Sequence, residues 1–129
     1  LGINGDPERQ AKWKENLEDD PVMMTNMRGT LTFAMPGKGT LGEGDIWGTR
    51  TTQIFFNMAD NTFLDKQGFS PFGEVISGME IVERIYPDYK QEPNQHEIHR
   101  QGNAYLEKKF PKLSFIKAVR FISDVDGTS

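Results

Sequence analysis

The chain contains no cysteine, so disulfides, thiolate metal sites and cysteine nucleophiles are excluded together. It has no apolar run approaching the roughly 20 residues needed to span a bilayer as a helix. Nor does it have a basic excess: 15 Lys and Arg stand against 19 Asp and Glu, a formal charge of -4. That balance offers no positive stripe for nucleic acid or an anionic membrane. Its first residues, Leu1 to Gln10, include no initiator Met, no basic leader and no apolar leader, and read as a processed or truncated start. No N-x-S/T sequon and no internal repeat occurs.

What is present is one domain's worth of chain, or part of one: 129 residues, 36% hydrophobic and 11% aromatic, enough for a packed core. Asp6, Pro7 and Glu8 form a helix start and predict a helix over 6–17. In "GTLTFAM" (29–35), Leu31, Phe33 and Met35 alternate with Thr30, Thr32 and Ala34, which predicts a strand. Residues 36–48 hold five of the 13 glycines and predict a long loop. Strands are predicted over 51–58, 72–77 and 113–122. A helix over 79–85 follows a capping box from Ser77 to Glu80. Residues 87–102 read as polar connection, 103–110 as one or two helical turns, and 123–129 as a polar tail.

Several motifs suggest chemistry and lack its context. "GKGT" (37–40) has lysine followed by glycine, whereas a phosphate loop needs serine or threonine there and a helix after it. His96 and His99 are spaced H-x-x-H, but a metal needs a third ligand and the flanks Asn94 and Pro93 argue against a helix. Asp124-x-Asp126-Gly127-Thr128 has the form of a phosphatase nucleophile motif, yet such a motif must open its domain. No G-x-S-x-G nucleophile elbow occurs.

The strand over 51–58 is the informative one. Alternation puts Thr51, Gln53, Phe55 and Asn57 on one face, and Thr52, Ile54, Phe56 and Met58 on the other. The second set predicts a core face. The first combines amide, ring and hydroxyl, and suits either the floor of a binding groove or a solvent-facing strand.

With these residues in view, the chain resembles the cyclophilins, the cyclosporin-binding peptidyl-prolyl isomerases. "RGTLTFAM" (28–35), "TRTTQIFFNMADNTFLD" (49–65) and "FGEVISGMEIVERI" (72–85) resemble three family blocks in the right order. The resemblance implies a mainly β fold, an antiparallel barrel with short flanking helices, over residues 1–122 and incomplete as given. It implies prolyl isomerisation without a cofactor. A non-catalytic proline-peptide module on the same fold is the alternative. It further implies a peptide groove in which Gln53 matches the active-site glutamine and Phe55 the floor of the proline pocket. Ala34, with Phe33 and Met35 beside it, would touch the residue before the proline. Phe63 replaces the rim tryptophan, which implies weakened cyclosporin binding, and Leu64 matches the pocket leucine. Phe69 falls near the family's pocket histidine. The family's "F-H-R-V" block, which carries the catalytic arginine, has no match in the chain. Arg28 and Arg50 do not occupy its position.

Overall fold

The computed structural model describes residues 2–36 and 48–122. The "GKGT" motif, most of the glycine-rich loop and the 123–129 tail with its aspartates lie outside the described residues.

Helix α1 (Pro7–Trp13) begins as the sequence predicts. Asp6 accepts from the Glu8 and Arg9 amides at 3.0 and 3.3 Å, and Pro7 occupies the first turn, where no amide donor is needed. It is shorter than 6–17. After Trp13 the chain extends, so that Leu17 donates its amide to the Arg50 carbonyl at 2.8 Å in an isolated antiparallel bridge.

Strands β1 (Thr30–Phe33), β2 (Ile54–Phe56) and β3 (Pro71–Glu74) form one antiparallel sheet, ordered β2-β1-β3. Leu31, Thr32 and Phe33 lie opposite Phe56, Phe55 and Ile54. On the other side Thr30, Leu31 and Thr32 lie opposite Glu74, Gly73 and Pro71, with a register shift between Leu31 and Thr32. Pro71 has no amide to donate and stands at the start of an edge strand, where that is tolerated. Residues directly opposite share a face. Thr30, Thr32, Phe55 and Asn57 therefore belong to one face, and Leu31, Phe33, Ile54 and Phe56 to the other. The described strands form a small open sheet.

Two turns of 3-10 helix (Thr62–Gln67) link β2 to β3 and close on Gly68, whose φ of 86° is the left-handed conformation that favours glycine. Helix α2 (Met79–Val82) is one turn long. Its N-cap is Gly78, also left-handed at φ 84°, and no side chain caps it. The capping box expected from Ser77 and Glu80 does not form, because the glycine, one residue later, already turns the chain.

Two helices occupy 95–109. Helix α3 (Gln95–Gln101) corrects the expectation of polar connection: Asn94 accepts from the Glu97 amide at 3.2 Å, an N-cap within Asn94-x-x-Glu97. Helix α4 (Asn103–Lys109) matches the predicted turns. Between them Gly102 takes φ 58° and ψ -136° and presses on the Gly5 carbonyl, which also accepts the Asn103 amide at 2.9 Å. A side chain at 102 would collide with that carbonyl. Helix α1 packs on α3, and α3 on α4.

The strand expected over 113–122 is also corrected: through Ile122 that segment is neither helix nor strand. Its ties lie at its start, where Leu113 N donates to Phe110 O and Ser114 Oγ accepts from Tyr86 N. A strand needs a neighbour's backbone groups, and no described strand pairs with it. Val119, Phe121 and Ile122 consequently face solvent, Phe121 fully exposed.

The predicted core face is likewise corrected. Ile54 and Phe56 are only half-buried, and Met58 is 46% exposed. Among the described residues Ile98 is the one buried apolar side chain, whereas Gln10, Asn26, Thr30, Thr32, Arg50, Asn57 and Ser70 are buried. What is fully enclosed is polar and hydrogen-bonded.

Candidate functional site

The face of the sheet carrying Thr30, Thr32, Phe55 and Asn57 is roofed by the 3-10 turn. Gln53, just before β2, is half-buried; its carbonyl accepts the Ala34 amide at 2.9 Å, which extends the β1–β2 ladder past Phe33. Its side-chain amide reaches Gln95 Oε1 on α3 at 3.4 Å, a long and exposed bond. A glutamine held so lightly can exchange that partner for a peptide backbone group.

Phe55 meets Phe69 edge to face, with ring centroids 5.9 Å apart and planes at 74°. Met35 follows β1, and its terminal methyl lies 3.6 Å from where a β-carbon on Gly68 would stand. Leu64 is half-buried in the turn, and its carbonyl accepts the Phe69 amide at 3.2 Å. Phe63 on the same turn is 60% exposed. The structure thus brings together Phe55 and Phe69, Met35 and the Gly68–Phe69 corner, and Ala34 and Gln53. Phe33 stands apart: the register puts it on the opposite face, where its ring stacks on Phe72 at 4.7 Å.

Arg50 also lies towards Phe33, its guanidinium carbon 5.6 Å from that ring centroid. It is buried and held from several sides. Its Nε lies 3.0 Å from Asp19 Oδ1, close enough to pair as ions without hydrogen-bond alignment. One terminal nitrogen donates to Asp20 at 3.1 Å and the other to the Glu18 carbonyl. Asp19 in turn accepts the Gly48 amide at 2.9 Å. The arginine ties residues 18–20 to the entry of β2. Arg28 pairs with Glu83 across the surface.

Beneath the Phe55–Phe69 pair lies a polar network that periodicity does not reveal. Asn26 and Asn57 are completely buried, as is Thr32. Asn57 Nδ2 donates to Thr30 Oγ1 at 2.9 Å and to Asn26 Oδ1 at 3.2 Å, while its Oδ1 accepts from Asn61 at 2.9 Å. Thr32 Oγ1 donates to Asn26 Oδ1 at 2.9 Å. Asn26 donates from its backbone and its side chain to Asp65 Oδ1, at 2.9 and 2.7 Å. Those bonds, the side-chain one first, hold the Asp65 carboxyl below its ordinary range, aided by Thr25 and opposed by burial. The only signal for this network in the sequence was the placing of asparagine at 26, 57 and 61, at the ends of apolar runs.

On the other face Phe56 lines a cleft of about 500 Å³ with Ile81, Val82, Ile85, Phe115 and Ile116. His96 and His99 do share a helix, α3, contrary to the flanking residues' suggestion. Burial, then the charges of Lys14 and His96, keeps His99 below the ordinary histidine value. Among the described residues no three potential ligands gather into a metal site. No described helix is long and apolar enough to cross a membrane.

The family described as cyclophilin type peptidyl-prolyl cis-trans isomerase/CLD matches residues 3–102. A Dickeya dadantii (strain 3937) protein named peptidyl-prolyl cis-trans isomerase A is 38% identical over 88 residues, which is 65% of this chain and 42% of that protein. An Acinetobacter baylyi (strain ATCC 33305 / BD413 / ADP1) protein named peptidyl-prolyl cis-trans isomerase is 36% identical over 66 residues, 48% of this chain and 31% of that protein. The chain spans less than half the length of these curated relatives. With the family match running from Ile3 through α3 to Gly102, the chain belongs to the cyclophilin-type peptidyl-prolyl cis-trans isomerase family.

Proposed function

We propose that the face bearing Phe55 and Phe69 binds proline-containing segments of peptides and proteins, and that the protein isomerises their X-Pro bonds. The observation that carries this reading is the Phe55–Phe69 pair beside Gln53 and Ala34, within a chain of this family. A pyrrolidine ring is apolar and flat enough to pack on a phenylalanine face, and Met35 and Leu64 extend that surface. Gln53 then meets the peptide backbone, and Ala34 leaves room for the residue before the proline. The three-stranded sheet is, on this reading, part of a closed barrel.

Rotation about an X-Pro bond must overcome a barrier of roughly 20 kcal/mol, set by amide resonance. No covalent step is required. A protein lowers the barrier by holding the twisted amide more tightly than either planar isomer. Anchoring the ring on Phe55 while Gln53 grips the backbone restrains the two sides of the bond independently. A cation near the prolyl nitrogen would favour its pyramidal form. Arg50 does not serve, being buried beside Asp19 towards Phe33 and paired also with the exposed Asp20, and Arg28 is engaged by Glu83. We assign that cation to neither.

The test is a protease-coupled isomerase assay with an Ala-Pro peptide, using wild type, Phe55→Ala and Gln53→Ala. Loss of turnover and of peptide binding in Phe55→Ala, with the fold retained, is the expected result. Unchanged turnover in both variants would overturn the assignment of this face. Cyclosporin binding supplies a separate check: Phe63→Trp is expected to tighten it, and nanomolar binding by the wild type would refute the role given to Phe63.

A further inference from the structure

Asn26 is wholly buried, and its polar groups are engaged on two sides. On the sheet side its Oδ1 accepts from Thr32 at 2.9 Å and from Asn57 at 3.2 Å. On the other side it holds the segment after β2 at three points. Its carbonyl accepts the Asn61 amide at 2.7 Å. Its backbone and side-chain nitrogens both donate to Asp65 Oδ1. Its Nδ2 also donates to the Phe69 carbonyl at 2.8 Å. The held residues, 61, 65 and 69, bracket Phe63 and Leu64 and end on Phe69 itself.

Thr32 lies directly opposite Phe55 in the β1–β2 register. A single amide therefore joins the strand position paired with Phe55 to the backbone of Phe69. Only asparagine satisfies every partner. Aspartate would lack both donors and set a second carboxylate against Asp65; glutamine is a methylene too long for a fully enclosed site; leucine would leave the partners unbonded. The amide orientation is fixed chemically, since the Asp65 carboxylate and the Phe69 carbonyl are both acceptors.

We propose that Asn26 is a positioning residue for peptide binding: through Asp65 and the Phe69 carbonyl it sets the gap between the Phe55 and Phe69 rings. This rests on the reading of that face as the proline site. Asn26 touches no substrate; it acts by fixing where Phe69 stands.

The experiment measures affinity for an Ala-Pro peptide by chemical-shift titration of protein labelled at phenylalanine, together with the unfolding midpoint of each variant. Asp65→Ala is expected to weaken binding roughly tenfold or more, and to shift the Phe55 and Phe69 ring resonances of the free protein. Asp65→Asn keeps an oxygen for Asn26 and is expected to stay within about threefold of wild type. Ile98→Ala is the control. It removes a buried apolar side chain on α3, outside the hydrogen-bond network of Asn26, and is expected to lower stability with affinity per folded molecule unchanged. Asp65→Ala binding as wild type does, or Ile98→Ala losing affinity as strongly, would overturn the inference while leaving the proline site intact. A wild-type protein that binds no proline peptide would overturn the functional reading and this inference with it. Asn26→Leu is expected to weaken binding at least as strongly as Asp65→Ala; should it fail to fold, the two Asp65 variants decide the matter.

Discussion

The sheet with its 3-10 roof and the chain from Tyr86 to Ile122 are held by opposite means. In the first, buried threonine and asparagine side chains bond one another and Asp65 through directional contacts. In the second, rings meet rings: Tyr86 with Tyr89, Tyr89 with Phe110 and Tyr105 with Phe110, at 5.0 to 5.6 Å. Beyond them Val119, Phe121 and Ile122 lie open to solvent. Hydrogen bonds fix distance and angle, whereas ring contacts tolerate sliding. The region in which Phe55 and Phe69 meet at 5.9 Å is the one built from hydrogen bonds.

The largest effect that would sharpen this contrast is expected at Arg50. Arg50→Met leaves Asp19 buried without its cation and is expected to cost about 3–5 kcal/mol in chemical denaturation. A loss below about 1 kcal/mol would show that the residue 18–20 strap contributes little to the polar region. Next comes Ile98→Ala in α3, expected to cost about 2–3 kcal/mol as the enclosed apolar side chain of the helical region. A smaller penalty would mean that the rings alone hold that half together.

Acid should weaken the first region through Asp65. The folded state depresses the Asp65 carboxyl below its ordinary value of 3.8, so the unfolded chain binds that proton more readily. The stability this provides is complete above the ordinary value and is lost as pH falls through the depressed one. Melting curves of Asp65→Asn should therefore depend less steeply on acid than those of wild type; identical slopes would remove Asp65 from the account. The smallest effect is expected at Phe121→Ser, within about 0.5 kcal/mol of wild type, since an exposed ring has no packing to lose. A large destabilisation there would break the comparison by revealing hidden contacts for the segment.

How much of this was legible in the sequence follows the same division. Strand positions at 30–33, 54–56 and 71–74 lie within or beside the predicted runs, because period-two alternation is a local property. The Asp6 cap was equally local. The helix over 95–101 was hidden by its polar composition, although Asn94 and Glu97 carried its start signal. The strand expected at 113–122 had the right pattern, but pairing depends on a neighbour that pattern does not supply. Of the residues expected at the site, the positions of Phe55 and Phe69 follow from β2 and from the turn after it. Their separation does not, because it is set by Asn26, about thirty to forty residues earlier in the chain. Register also divides Phe33 from Phe55, which a linear motif groups together.

The contact of Gly102 with Gly5 has a consequence for the order of folding. It closes a ring of roughly a hundred residues, and the entropy of closing so long a ring must be met before the contact returns anything. The 3-10 turn and the β1–β2 pairing close much shorter rings and can form without it. The meeting of the first residues with the α3–α4 corner is therefore expected late, and a side chain at 102 should leave early collapse intact while slowing the final docking step.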